Sequence, residues 1–458
     1  MSTTLVQPGQ TQVLSDYWMA RRNQLFMASC IALIVTAMSF AIRGDLISPL
    51  GEQFHLSKEQ IGFVLGTAFW GFTLAMIIGG PLCDIMGMGR LLMLAFVGHL
   101  IGIVLTIMAH DFWTLFISTL FFGLGNGFVE AACNPLITTL FPDQKIRKLS
   151  FFHAWFPGGQ VIGGLVAYAI TQASVGASWK SHAWQLEMAS MLLPLVIYAA
   201  MFLGKKFPAT ERDAAGVSMG QMFAECARPF FILFVVCMFM TAITELGSLQ
   251  WSPNILTLTT GQPGILILVW VTGLMAVGRT FAGPIVHRIS PVLLLMISSF
   301  LSIIGLYLVS QAHDAPTAYA SATIFAAGVC FFWPTMLGVV SERFPKTGAL
   351  GLAIMGGGGM LAVNFAQIVI GATYDRGTAI AAGGADKVAA LQQAGGDAWI
   401  KAQAAGGSAG LQQIVILPII LLVIFTAIFL YDRSRGGYHQ EVLVQDQDVP
   451  EGPVGAVA

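Results

Sequence analysis

Long apolar runs, separated by short polar stretches, repeat along the whole chain. A helix needs roughly 20 apolar residues to cross a lipid bilayer, and twelve runs of about that length are present. They cover residues 24–44, 60–82, 91–109, 113–139, 150–173, 185–204, 229–251, 264–286, 291–311, 317–340, 350–373 and 412–431. The pattern predicts an all-α polytopic membrane protein with twelve transmembrane helices.

The composition agrees with this prediction and narrows the range of partners. Of the 458 residues, 56% are hydrophobic and 10% are charged, whereas a typical soluble domain carries about 25% charged residues. Such a chain cannot cover itself with a solvated surface, so we expect the lipid bilayer to surround it. The net charge of −1 gives no reason to expect nucleic acid as a partner.

Basic residues between the spans predict the orientation. With the N-terminus inside, fifteen Lys and Arg residues fall in cytoplasmic segments and six on the outer side, which satisfies the positive-inside rule. The inner set is Arg21, Arg22, Arg90, Lys145, Arg147, Lys148, Lys205, Lys206, Arg212, Arg228, Arg288, Arg343, Lys346, Arg433 and Arg435. The outer set is Arg43, Lys58, Lys180, Arg376, Lys387 and Lys401. We expect the chain to span the inner membrane of a bacterial cell, with both termini in the cytoplasm.

The cysteines and the ionisable residues give no sign of a metal site or of catalysis. The six cysteines lie in apolar runs or near their predicted cytoplasmic ends, and no two stand at metal-ligand spacing. No nucleophile–base pair lies at a predicted membrane face either. We therefore expect no metal, no organic cofactor and no enzymatic activity.

The chain is predicted to consist of two related halves. A polar stretch over 205–228 separates an N-terminal half, 1–204, from a C-terminal half, 229–433, and 434–458 forms a cytoplasmic tail. The segment 374–411 is rich in Ala, Gly and Gln. We expect it to be an extracytoplasmic linker, with a short helix around 384–402.

Short matching motifs support a six-helix repeat. The stretch GGPLCDIMG at 79–87 is echoed by AGPIVHRIS at 282–290, and Pro135 recurs as Pro334. The pair Gly158 and Gly159 recurs at the same displacement as Gly357 and Gly358. Two repeats of equal topology are typical of transporters whose halves rock around a site near the middle of the membrane.

Polar residues form stripes on four of the predicted spans. Residues at i, i+4 and i+7 or i+8 share one face of a helix, and a polar face turned to lipid would stay unsatisfied. We therefore expect these stripes to line an internal cavity. The stripes are Asn126, Glu130 and Asn134; His153, Pro157 and Gln160; Thr241, Glu245, Ser248 and Ser252; and Asn364 with Gln367.

Hydroxyls, amides and carboxylates facing one cavity are suited to binding a hydroxylated solute. The residues predicted to contact it are Asn126, Asn134, His153, Trp155, Gln160, Glu245, Gln250, Asn364 and Gln367. Each also has a structural interpretation: a histidine often joins helices by a hydrogen bond, and membrane tryptophans often anchor at the lipid interface. Arg279, near the cytoplasmic end of its span, is expected to pair with Glu342 in a structural charge cluster.

Glu130 is the most unusual of these residues. A carboxylate inside an apolar helix costs several kcal/mol unless it is protonated or paired. Glu130 has Asn126 four residues before it and Asn134 four residues after it. We interpret it as a functional carboxylate; the alternative is a structural glutamate paired across a helix interface.

The loop after the second span connects the chain to a known family. Its residues Gly80, Asp84, Gly87 and Arg90 form the pattern G-x-x-x-D-x-x-G-x-x-R, which resembles the signature loop of the major facilitator superfamily. In that family the Asp and the Arg help to latch the cytoplasmic side of the two halves. The second copy keeps Gly283 but has His287 at the place of the Asp, so one strong latch is expected.

A narrower resemblance concerns the fucose–proton symporter branch. VEAACNP at 129–135 is similar to that branch's E-x-A-x-NP segment, and GDLISPLGEQF at 44–54 looks like the end of its first span. FFWPTMLGVVSERFP at 331–345 resembles related sugar porters. The resemblance implies that Asp45 and Glu130 take part in proton coupling and sugar binding. The alternative interpretation of Asp45 is a solvated aspartate that pairs with Arg43.

The resulting hypothesis is a proton-driven importer of a sugar or similar polyol that works by alternating access. In span five the symporter branch uses a glutamine and an asparagine for sugar, where this chain has His153 and Phe156, so the substrate is expected to differ. The alternative is a proton antiporter that exports drugs or metabolites. Sodium stays open as the coupling ion, and a monomer is expected.

Overall fold

The computed structural model describes residues 16–46, 50, 53–54, 58–210, 218–261, 264–282 and 288–441. In the N-terminal half the helices are α1 (Asp16–Asp45), α2 (Lys58–Met86), α3 (Met88–Ile107), α4 (Phe112–Leu140), α5 (Lys145–Ser174), α6 (Ala183–Ser190) and α7 (Leu192–Phe202). A short helix, α8 (Met219–Cys226), follows in the central segment.

The C-terminal half contains α9 (Pro229–Ala242), a π-helical turn (Ile243–Gly247), α10 (Ser248–Thr260), α11 (Gly264–Thr280), α12 (Pro291–Gln311), α13 (Ala315–Val329) and α14 (Phe332–Arg343). It continues with α15 (Gly348–Ala381), α16 (Ala385–Ala394), α17 (Gly396–Ile414) and α18 (Ile416–Ser434). Within the described residues, each of the twelve predicted spans coincides with one helix or with consecutive helical segments, and 283–286 of the eighth span lie outside those residues. The predicted all-α fold is confirmed.

Ten helices of the described residues are long and apolar enough to cross a membrane by length and composition. Two predicted spans lie outside these ten. The span at 264–286 corresponds to a shorter apolar helix, Leu266–Thr280. The span at 150–173 lies within α5, which has 30 residues but carries the polar stripe of His153 and Gln160 together with three basic residues near its start.

The segment 374–411 is more regular than the linker that the sequence predicted. Helix α15 extends to Ala381, and α16 and α17 cover nearly all of the remaining segment. The short helix expected around 384–402 is therefore two helices that meet at Gly395, where φ is 64°. Ala and Gln have high helix propensity, which explains why a segment too polar for a span is still helical.

The chain folds into two compact units. The first contains Met1–Val235, Leu337–Gly358 and His439–Ala458, and the second contains Val236–Met336 and Gly359–Tyr438. The first unit therefore includes the N-terminal half together with the end of α14 and the start of α15. The Glu441 N–H donates to the carbonyl of Glu342 at 2.8 Å, which attaches the residues after α18 to this unit.

Small residues let the helices of the first unit approach closely. A Cβ at Gly71 of α2 would lie 2.7 Å from the carbonyl oxygen of Leu120 in α4. A Cβ at Gly80 would lie 2.8 Å from Cβ of Ala353 and 3.0 Å from Cα of Leu350, both in α15. Such contacts bring helix backbones together where lipid gives no hydrophobic driving force between helices.

Candidate functional site

Glu130 lies inside the first unit beside two of the residues predicted with it. Its side chain is 1% exposed, and Oε2 accepts a long hydrogen bond of 3.5 Å from Nδ2 of Asn134. Oδ1 of Asn134 lies 3.1 Å from Nε2 of His153, on α5. Because an amide oxygen can only accept, Nε2 of His153 carries the hydrogen in this contact. The amide of Asn134 therefore joins the imidazole to the carboxylate.

Asn126, one turn before Glu130 on α4, belongs to a second hydrogen-bonded chain. Its Oδ1 lies 2.9 Å from Nε2 of His99, whose Nδ1 lies 3.1 Å from the hydroxyl oxygen of Tyr198. Nδ2 of Asn126 donates to Oγ of Ser39 at 3.2 Å, and Ser39 donates to the carbonyl of Thr36 at 2.6 Å. When His99 is neutral, all of these hydrogen bonds can form with one set of donors and acceptors. Tyr198 donates to Nδ1 of His99, Nε2 of His99 donates to Oδ1 of Asn126, Asn126 donates to Ser39, and Ser39 donates to the carbonyl of Thr36.

His99, Tyr198 and Ser39 were not predicted as partners of this stripe. The sequence does place His99 inside the apolar run 91–109. Burying an imidazole there is costly unless both ring nitrogens find hydrogen-bond partners, so this position could have been recognised as a contact to another helix. The ring of His99 packs directly against Gly125 of α4, where a Cβ would overlap Cδ2 of the imidazole. Gly125 therefore makes room for the ring beside the next residue, Asn126.

The second unit contains a buried ion pair. Nη2 of Arg279 donates to Oε1 of Glu245 at 2.6 Å, and Nε of Arg279 donates to the carbonyl of Cys330 at 2.6 Å. The side chains of Arg279 and Glu245 are 2% and 4% exposed. Glu245 lies in the π-helical turn Ile243–Gly247, and π turns inside helices frequently occur at functional sites.

This ion pair gives Arg279 and Glu245 a partner that the sequence does not predict. Arg279 was paired with Glu342, and Glu245 was assigned to the substrate. The structure joins Arg279 to Glu245 within the second unit, and both predicted roles stay predictions. The two members are 34 residues apart on different helices, so no helical spacing in the sequence connects them.

The other predicted contact residues differ in their exposure. Trp155 is partly exposed, and its Nε1 is buried with no hydrogen-bond partner among the described residues. Gln160 and Asn364 are partly exposed and Gln250 is exposed. The side chains of Asp45 and Gln367 lie outside the described part of the structure, although both positions are helical. The predicted roles of these six residues stay predictions.

The signature loop after α2 packs inside the first unit. Gly80 lies against α15, as described above, and Oδ1 of the buried Asp84 accepts a hydrogen bond from the hydroxyl of Thr210 at 2.7 Å. Gly87 precedes α3 with φ at 86°, a left-handed value that favours glycine. Arg90 is exposed. Gly283 and His287 of the second copy lie outside the described residues.

Among the described residues, no group of three or more His, Cys, Asp or Glu side chains is arranged to hold a metal ion. The polar chemistry along α4 instead consists of amides, imidazoles, hydroxyls and the carboxylate of Glu130. Such groups form hydrogen bonds, and the carboxylate can also bind a proton.

Residues 25–366 match the sequence profile of the Major Facilitator Superfamily. The chain belongs to this superfamily. A curated relative, the 3-(3-hydroxy-phenyl)propionate transporter of Escherichia coli (strain K12), is 23% identical over 324 residues, which are 67% of this chain and 76% of the relative. The membership confirms the predicted family and makes this chain a multi-pass membrane transporter of a small solute.

Two solved structures share the fold. The fucose:proton symporter of Escherichia coli has a TM-score of 0.65 at 16% identity, with 86% of this chain and 98% of that chain covered. A proton:xylose symporter has a TM-score of 0.70 at 15% identity, with 90% of this chain and 96% of that chain covered. At these identities the likeness concerns the superfamily fold.

Proposed function

We propose that this transporter imports a sugar or similar polyol together with a proton. The observation that carries the proposal is the buried carboxylate of Glu130, hydrogen-bonded through Asn134 to His153. An ionisable residue inside a membrane-spanning helix is a functional candidate by default because its charged form is costly there. Glu130 also lies on the same face as Asn126, whose amide is hydrogen-bonded to His99 and Ser39.

Glu130 is a better proton carrier than the other buried carboxylate of the polar stripes, Glu245. Arg279 donates a hydrogen bond to Glu245 at 2.6 Å, and a cation at this distance favours the ionised carboxylate. Glu130 accepts from the neutral amide of Asn134 at 3.5 Å. A long bond to a neutral amide is weaker than a short bond to a guanidinium, so this oxygen exchanges that partner more readily.

In the proposed cycle, Glu130 takes up a proton from the outer side, the solute binds, and both leave on the inner side after the halves rock. A change in the charge of Glu130 would alter its hydrogen bond with Asn134. Because the amide of Asn134 also contacts His153, that change would affect His153 as well. For a neutral solute that moves with one proton, a membrane potential of 100 mV contributes about 2.3 kcal/mol per charge, which corresponds to roughly 50-fold accumulation. A monoanionic solute cancels this charge, so the pH gradient alone would drive it. Asp45 stays the second candidate for proton coupling.

The comparisons support a small hydroxylated solute. The two structural neighbours are named as proton symporters of fucose and of xylose. The curated relative is named for a phenolic carboxylic acid. All three solutes carry hydroxyl groups, which fit the amides and imidazoles beside Glu130. Sodium is the alternative coupling ion, and the bacterial inner membrane and cytoplasmic termini stay part of the proposal.

Uptake into proteoliposomes tests the proposal. Purified protein is reconstituted, and accumulation of labelled monosaccharides and polyols is measured with and without an imposed inward proton gradient, and separately with a sodium gradient. We expect accumulation with the proton gradient alone. Uptake that does not depend on the proton gradient, or that depends on the sodium gradient, would contradict proton coupling.

A further inference from the structure

Arg43 is a buried arginine in the last turn of α1. It is 9% exposed, and its Nη2 donates to the hydroxyl of Thr119 on α4. Its guanidinium carbon lies 6.0 Å from the centre of the Phe122 ring, also on α4. Both partners are uncharged, so neither balances the positive charge.

A second nitrogen of this guanidinium finds no acceptor in the described part of the chain. Nη1 of Arg43 is buried and makes no hydrogen bond to any described residue. Arginine keeps its proton in proteins, and an uncompensated buried charge is strongly destabilising. Arg279, which is also deeply buried, shows how the same chain balances such a charge, with a carboxylate at 2.6 Å.

Arg43 stands at one end of the polar stripe of α4. Its α1 neighbour one turn earlier, Ser39, accepts the hydrogen bond from Asn126. Thr119 precedes Asn126 by seven residues, a spacing that places both on one face of α4. A solute that extends along this face toward Glu130 would meet the guanidinium at its other end.

We propose that Arg43 binds a carboxylate of the transported solute, so that the sugar-like or polyol-like solute of the proposed function carries a carboxylate group. This inference rests on the proposed function and names its substrate class. A guanidinium presents two N–H groups in a planar fork that matches the two oxygens of a carboxylate. The buried Nη1 supplies the donor that the described residues leave unused, and the anion balances the charge.

Binding of matched pairs tests the proposal. The thermal unfolding of the full-length protein in detergent is followed with D-gluconate against D-glucitol, and with 3-hydroxybenzoate against 3-hydroxybenzyl alcohol. Within each pair a carboxylate replaces a CH₂OH group. We expect an acid to raise the unfolding temperature while its alcohol does not. Stabilisation by neither acid, or equal stabilisation by acid and alcohol, would overturn the proposal.

Variants connect the effect to Arg43. Arg43→Gln should weaken binding of the stabilising acid by at least ~30-fold, since truncating one member of a buried charge pair usually has an effect of this size. Arg43→Lys keeps the charge without the fork and should lose less. Thr119→Val removes the hydroxyl that positions Arg43 and should weaken acid binding less than Arg43→Gln does. Unchanged acid affinity in Arg43→Lys and Arg43→Gln alike would contradict the assignment. If Arg43→Gln does not fold, the acid affinities of Arg43→Lys and Thr119→Val can be compared to test the assignment.

Uptake separates this proposal from the broader one. Proton-driven accumulation of a neutral polyol that persists in Arg43→Lys would refute the carboxylate site and leave proton-driven import standing. If acid binding requires Arg43 but uptake does not depend on the proton gradient, proton coupling is refuted and the carboxylate site is retained.

Discussion

Glu245 and Arg279 form an ion pair at 2.6 Å in which both side chains are almost fully buried. Removing one member leaves the other charge uncompensated. We expect Arg279→Met to lower the free energy of unfolding by about 3–5 kcal/mol, whereas Arg279→Met combined with Glu245→Met should be within about 2 kcal/mol of wild type. Thermal unfolding of the four proteins in a double-mutant cycle measures this coupling. Strictly additive effects would contradict the pairing.

Glu130→Gln tests the proposed proton carrier. Glutamine keeps the size of the side chain and can still contact Asn134, but it cannot bind and release a proton. We expect accumulation under a gradient to fall from roughly 50-fold toward no accumulation, while exchange of labelled for unlabelled solute continues. Glu245→Gln serves as the comparison. Full accumulation by Glu130→Gln would remove Glu130 from proton coupling.

Gly80→Leu tests the contact of α2 with α15. A leucine there meets Cβ of Ala353 within 2.8 Å of its own Cβ, and overpacking of this kind costs about 1–3 kcal/mol. Because Cys83 is buried one turn away on α2, it should become more reactive toward maleimide in a variant that keeps only this cysteine. Gly66→Leu on the same helix is the control, since a Cβ at Gly66 meets no described atom within 4 Å. Equal reactivity in both variants argues against a packed contact.

His99→Phe tests the hydrogen-bonded chain that ends at Asn126. The substitution leaves the hydroxyl of Tyr198 and Oδ1 of Asn126 without their partner. Each unsatisfied buried group costs about 1–3 kcal/mol, so the apparent melting temperature should fall markedly. Adding Tyr198→Phe to His99→Phe removes one orphaned group and should recover part of the loss. A double variant no more stable than His99→Phe would show that Tyr198 is satisfied in another way.

The twelve helical segments and the polar stripe of α4 were predictable from the sequence. Both depend on properties that are local along the chain: the length of an apolar run, and the helical period that puts Asn126, Glu130 and Asn134 on one face. The signature loop around Asp84 was predictable because its residues are contiguous. The family that they indicated is confirmed.

The partners of the buried polar groups were decided by the tertiary structure. The sequence marks Arg279, Glu245 and His99 as costly residues within apolar runs, but it does not say which helix lies opposite each one. That choice depends on close backbone contacts, such as the space that Gly125 leaves for the ring of His99. The same packing leaves Nη1 of Arg43 without an acceptor among the described residues.

The sequence by itself therefore determined that this chain crosses the membrane many times and keeps a carboxylate in the middle of one crossing, because hydrophobicity and helical period are properties of neighbouring residues. Only the tertiary structure decided that Glu245 is paired with Arg279, that Glu130 contacts the amide of Asn134, and that Arg43 lies against the uncharged side chains of Thr119 and Phe122. Those facts depend on distances between side chains that the fold brings together, and no local pattern encodes them.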